Sequence, residues 1–170
     1  MDDIADMMED AGRRFLEQRH PVSRVRDPQS RGGHSGLWRE LAGLEWPALL
    51  LPEEAGGMGQ GLQAAWPLAY QAGRHLLTVP LVANMVLLPM LCKGQGDGGP
   101  LASWLAPVLS GDAYDAPAVI EPDGSLLVEY AAADRPALAP RYLASGKIRL
   151  ERYSLAGAAV GAGLDPTLDT

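Results

Sequence analysis

Cysteine, lysine and long apolar runs are the scarce features of this 170-residue chain. A single cysteine, Cys92, excludes an internal disulfide, and no second ligand type stands near it. Lysine occurs only at Lys93 and Lys147, and the 14 basic residues are outnumbered by 21 acidic ones, giving a formal charge of -7. Nucleic-acid binding needs clustered basic charge to neutralise phosphates, so no nucleic-acid partner is expected. The most apolar stretch, residues 76–92, is shorter than a membrane span and contains Asn84, Pro80 and Pro89. It reads as a buried helix. The acidic start, Met1-Asp2-Asp3-Ile4, has no basic region before an apolar run, which argues against a secretory signal. A cytoplasmic protein without a membrane span is expected. What is present is enough for a core: 47% of residues are hydrophobic, which excludes whole-chain disorder. A chain of this size buries roughly two-thirds of its unfolded surface without metals or disulfides.

Periodicity divides the chain. Ile4, Met7, Ala11 and Phe15, with Met8 and Leu16 beside them, predict an amphipathic helix over 3–19 that ends before Pro21. Leu37, Leu41 and Leu44 predict a short helix over 37–44. Residues 46–52 form an apolar extended or turn segment, because each proline biases its predecessor away from helix. A glycine-rich loop, 53–61, precedes helices over 62–77 (Pro67 near its first turn) and 80–91. A flexible connector over 93–99 and a last helix over 101–109 follow. Beyond Gly111 the pattern changes to strands: 118–120 and 126–130 around a turn, then 147–153 with alternating charged and apolar residues. The tail from Ala131, rich in Ala, Gly and Pro, is hard to fold into a full barrel.

Chemical motifs are sparse. Gly33-His34-Ser35-Gly36 misses the spacing of a hydrolase nucleophile elbow by one residue and follows no strand. Gly57-Met58-Gly59-Gln60-Gly61 lacks the dinucleotide spacing. His20, His34 and His75 are isolated from other ligands, so no metal site is expected. Glu53 and Glu54 are adjacent, and in an extended loop their side chains diverge rather than converge on one substrate atom. Trp38, Trp46, Trp66 and Trp104 read as packing residues. No catalytic residue can be named from the residues alone.

In order and spacing, the stretch Leu37-Trp38-Arg39-Glu40-Leu41 through Pro52-Glu53-Glu54-Ala55-Gly56-Gly57-Met58-Gly59 resembles the acyl-CoA dehydrogenase family. So do Gln71-Ala72-Gly73-Arg74 with Pro80, and Trp104 through Asp112. The resemblance implies a mainly α fold: an amino-terminal helical domain over 1–112 and a partial middle β domain or irregular tail over 113–170. It implies a flavoprotein lineage that dehydrogenates the Cα–Cβ bond of an acyl-CoA thioester, with residues 62–77 and 80–91 facing the acyl pocket. The family's flavin-binding turn is matched only by Ile120-Glu121-Pro122-Asp123-Gly124-Ser125. Glu121, Pro122, Gly124 and Ser125 are therefore the candidate FAD-binding residues. Ile120 replaces a threonine hydroxyl, the turn is one residue short, and no tryptophan follows Trp104 to stack on a flavin. The family's carboxyl-terminal bundle, which in most members carries the glutamate base, has no counterpart here, and the stop after Thr170 reads as a truncation. The expectation is a component that is inactive and binds little or no FAD by itself. It would be completed by an acyl-CoA dehydrogenase-type partner subunit or a homo-oligomer. The alternative is a non-catalytic interaction module or remnant of that family.

Overall fold

In the computed structural model, residues 2–25, 34–94, 101–130 and 135–157 are described. Residues 95–99 of the connector expected over 93–99 and the final residues, 158–170, lie outside them, as does Gly33 of the elbow-like segment, while Lys93 and Gly94 end a helix instead. The chain divides into two compact units, Met1–Ala113 and Tyr114–Thr170. The architecture is mainly α with a small β region.

Among the described residues the first unit has five α-helices: α1 (Asp2–Arg19), α2 (His34–Gly43), α3 (Leu62–Arg74), α4 (Leu81–Gly94) and α5 (Leu101–Leu109). Helix α1 packs chiefly on α3. Its buried seam is Met8, Gly12, Leu16 and His20, whereas Met7, expected on the apolar stripe, is 59% exposed. The cause is steric. A Cβ on Gly12 would lie 3.0 Å from Leu68 Cδ2 and 3.4 Å from Gln71 Cβ, so α3 comes closest where α1 has no side chain. Arg19 clamps α1 to α2 by a forked ion pair with Glu40, Nε to Oε2 at 2.6 Å and Nη2 to Oε1. On α2, Trp38, Leu41 and Ala42 are the buried side, and Leu44 is exposed, so the face is rotated from the expected leucine row. Phe15 meets Trp46 edge to face with ring centroids 5.3 Å apart.

Residues 46–52 adopt the turn alternative, with a 3₁₀ turn at Trp46–Ala48, and a second 3₁₀ turn covers Glu53–Ala55. Helix α3 stops at Arg74, earlier than expected, and Pro67 sits inside it as the sixth residue. Its end is a reversal in which the Leu77 N–H donates to Ala72 O at 2.9 Å and the Leu76 N–H to Gly73 O at 3.1 Å. That geometry puts Leu76 at φ 50, a left-handed position usually given to glycine. His20 Nε2 lies 3.2 Å from Leu76 O and, as the N–H tautomer, donates to it. Leu76 is 57% exposed, so its side chain gains little from burial. Leu76→Gly is expected to raise stability by about 0.5–1 kcal/mol, read as a higher urea midpoint with unchanged slope.

Helix α4 differs from the buried helix expected over 76–92. Leu81, Met85 and Leu88 are in the core, but Val82, Val86 and Met90 are 39%, 43% and 53% exposed. Asn84 Nδ2 donates to Pro80 O at 2.9 Å, which ties a buried amide into the first turn.

Among the described residues the second unit holds a four-stranded sheet in the order β2-β1-β3-β4, with β1 Ala116–Ile120, β2 Leu126–Val128, β3 Ala137–Tyr142 and β4 Ile148–Tyr153. Strands β1 and β2 form the expected hairpin, and β1 pairs with β3 in parallel. Strand β3 was hidden in the tail expected to be irregular, because Pro140 speaks against a strand. Its register resolves the conflict. Leu143 N–H donates to Lys147 O beyond the last pair, so alternate bonding places Pro140, opposite Leu150, in a pair that exchanges no hydrogen bonds. Pairing with β1 reaches only Leu138, so no donor is missed on the other side. Ala118, Ala137 and Ala139 form the core of this unit with Ile120, Leu126, Val128, Tyr153 and Leu155. On the other face, the cross-strand pairs Val119–Leu127 and Tyr142–Ile148 are all more than half exposed.

Candidate functional site

Among the described residues, three places are candidates for a functional site. The first is the loop 52–61, which folds back onto residues 48–51. Gly57 N–H donates to Pro52 O at 3.0 Å, Met58 N–H to Ala48 O at 3.2 Å, Gly59 N–H to Leu51 O at 2.8 Å and Gln60 N–H to Leu49 O at 3.0 Å. These bonds satisfy the loop internally and make it an architectural clamp. Glu53 and Glu54 stand exposed on its rim. A neighbouring cavity of about 60 Å³, lined by Ala42, Glu45, Pro47, Ala48, Gly56 and Leu109, has room for solvent and not for an acyl thioester.

The second place is the tip of the β1–β2 hairpin, which brings Glu121, Pro122, Gly124 and Ser125 into one turn. Glu121 N–H donates to Ser125 O and Gly124 N–H to Glu121 O, both at 2.9 Å. The Ser125 N–H and hydroxyl both donate to Asp123 Oδ1, at 2.9 and 2.6 Å. These two bonds hold the Asp123 carboxyl below its usual range, so the tip carries a fixed negative charge. A flavin needs donors for its ring carbonyls and pyrophosphate. Here the donors of these four residues are spent on the turn itself, Pro122 has none, and the neighbouring carboxylate repels phosphate. As folded, the turn does not fit a flavin.

The third place is the exposed side of α3 and α4. Trp38 and Trp46 are packing residues as expected, but Trp66 is 74% exposed. Leu62 and Tyr70 share its helix face and are 72% and 52% exposed. Sequence reading missed this row because the core residues of α3 (Ala64, Ala65, Leu68 and Ala72) are small or single, so both faces look apolar. The spacing Leu62, Trp66, Tyr70, Arg74 was the available signal. Also missed was the ion pair in the β unit. Asp115, 1% exposed, accepts from Arg152 Nε at 2.7 Å. Burial pushes the Asp115 carboxyl up, and Arg152 opposes that push. Its partners lie 37 residues apart in sequence, which no local pattern reveals. Among the described residues, no three His, Cys, Asp or Glu side chains are grouped to hold a metal.

A family model described as the acyl-CoA dehydrogenase N-terminal domain matches residues 2–112. The chain belongs to the acyl-CoA dehydrogenase family. Among solved structures it is similar to a variant of the Tcur3481-Tcur3483 steroid ACAD, at 25% sequence identity and a TM-score of 0.58, over 87% of this chain and 47% of that one. A second structure, the Tcur3481-Tcur3483 steroid ACAD, matches at 16% identity and a TM-score of 0.56, over 88% of this chain and 53% of that one, which speaks to the fold alone. This acyl-CoA dehydrogenase family chain therefore spans about half the length of the structures it matches. No curated protein matches it.

Proposed function

We propose that this chain is the helical component of an acyl-CoA dehydrogenase built from two different chains. It supplies one wall of the acyl pocket, and the second chain carries FAD and the catalytic base. The observation that carries this reading is α4. Its inner row (Leu81, Met85, Leu88) is core, and its outer row (Val82, Val86, Met90) is apolar and exposed. A helix that is apolar all round belongs between two layers, and among the described residues only one layer covers it. The uncovered Val119–Leu127 and Tyr142–Ile148 pairs give the sheet the same need. A name that joins two components, attached to a structural neighbour twice this chain's span, supports the two-chain form. The same name favours a steroid-derived acyl thioester, whose fused rings require a broad apolar wall.

Dehydrogenation requires a base and a hydride acceptor on opposite faces of one carbon pair. FAD, when bound, supplies the acceptor. This chain's contribution is to pack the acyl group against α4 and exclude water from it. A cytoplasmic location goes with this reading, and among the described residues no helix is long and apolar enough to cross a membrane.

The test is ligand-induced stabilisation, which follows the ratio of ligand concentration to Kd. FAD or a steroid-derived acyl-CoA, each at high concentration, is expected to leave the thermal transition of the isolated chain unmoved. Both are expected to raise it in a complex with an acyl-CoA dehydrogenase-type chain that supplies the flavin-site half. In that complex Val86→Asp is expected to raise KM at least about tenfold with the association intact, since it places a charge against the acyl group. An unchanged KM would remove α4 from the pocket.

A further inference from the structure

The face of α3 that carries Leu62, Trp66, Tyr70 and Arg74 repeats every four residues, so these side chains stand above one another. A tryptophan three-quarters in water is a large apolar area left uncovered. The Arg74 guanidinium lies 5.8 Å from the Tyr70 ring centroid, which holds a cation at one end of the row. The surrounding sequence has an unusual charge distribution. Residues 55–96 contain no aspartate or glutamate, although the chain has 21, and their basic residues are Arg74 and Lys93. Trp, Tyr and Arg are the residue types that dominate binding hot spots, and interface centres are depleted in charge.

The charge pattern selects the occupant. A second copy of this chain pairing through the same row would set Arg74 against a face that has no acid. An anionic lipid surface would repel a chain of net charge -7 with two lysines. A different chain can supply the missing carboxylate. We infer that the Leu62–Trp66–Tyr70–Arg74 row is a docking ridge for an amphipathic helix of the second chain, whose apolar stripe ends in an aspartate or glutamate that faces Arg74. This rests on the two-chain reading and adds to it the face that is used. The ridge on α3 is the protein contact, and the outer row of α4 is left for the acyl group.

The experiment uses the complex with the second chain, an acyl-CoA dehydrogenase-type chain co-expressed with this one. Trp66→Ala and Arg74→Glu are each expected to weaken association by about 30-fold or more. Glu54→Ala, on the exposed loop rim, is expected to leave it unchanged. The isolated variants should keep the wild-type far-UV spectrum and thermal midpoint, because the ridge is in water in the free chain. A photo-crosslinker at position 66 should map to one helix of the second chain, and an acid-to-arginine change there should restore binding to Arg74→Glu. Wild-type affinity of both variants in an intact complex would overturn the ridge and leave the two-chain reading standing. Failure of the wild-type chains to associate would overturn that reading and the ridge with it. Self-association, or capture on phosphatidylglycerol vesicles, that Trp66→Ala abolishes would assign the row to another occupant and also overturn the inference.

Discussion

Gly57→Ala is expected to destabilise the helical unit by about 3 kcal/mol or more, enough to unfold a marginal domain. A Cβ at this position would lie 2.2 Å from Leu51 Cβ and 2.3 Å from Leu51 O. The obstacle is backbone and cannot swing aside as a flexible side chain would. Relieving the clash means lifting the loop off residues 48–51. That breaks the row of hydrogen bonds from Gly57, Met58, Gly59 and Gln60, and exposes a stretch in which Ala48, Leu49 and Leu51 are buried. Urea denaturation followed by tryptophan fluorescence reports it, since Trp38 and Trp46 are buried in this unit. Gly73→Ala is the control. Nothing lies within 4 Å of its added methyl, and removing a glycine from a helix should stabilise by about 0.5–1 kcal/mol. A Gly57→Ala midpoint equal to wild type would mean that the loop is not clamped.

Arg152→Ala is expected to cost the β unit about 3 kcal/mol at neutral pH, because it removes a charge-assisted bond from a carboxylate that is almost wholly buried. The pH dependence has a definite sign. Burial raises Asp115 above its ordinary value of 3.8, so the folded state holds its proton to higher pH than the unfolded state does. Stability from this group is therefore greatest below 3.8 and is lost as pH rises through the raised folded value. Without Arg152 the push from burial is opposed less, so the loss widens. The variant's deficit should be smallest near pH 4 and largest near pH 7. Amide hydrogen exchange of the β3–β4 ladder follows this unit separately from the helical one. A deficit that stayed constant with pH would mean that Asp115 is not ionised in the fold.

What could be read from the sequence was what is local. Helix spans follow from three-to-four-residue periodicity and from proline, which is why α1, α2 and α5 lie within a few residues of expectation. The glycine-rich loop over 53–61 was legible as a loop because its glycines, with Pro52 before them, mark a break in the helical pattern directly. The centre of the α1 seam was not, because it depends on Gly12 meeting Leu68 and Gln71 from another helix. Strand β3 was not, because Pro140 is tolerated only in the register that β4 supplies. Trp66 and Val86 were misread for a single reason. Apolar residues in a helix signal burial, and here no layer covers them among the described residues. The flavin-like turn kept its glycine and serine, but the loss of its donors appears only once Ser125 is seen bonded to Asp123.

The most direct test of the two-chain account is flavin absorbance and dehydrogenase activity, measured on the purified chain and on its co-expressed complex with an acyl-CoA dehydrogenase-type second chain. The account predicts a colourless, inactive chain alone, and a yellow complex that reduces an electron acceptor with a steroid-derived acyl-CoA. A chain that purifies yellow and turns over acyl-CoA by itself would contradict it.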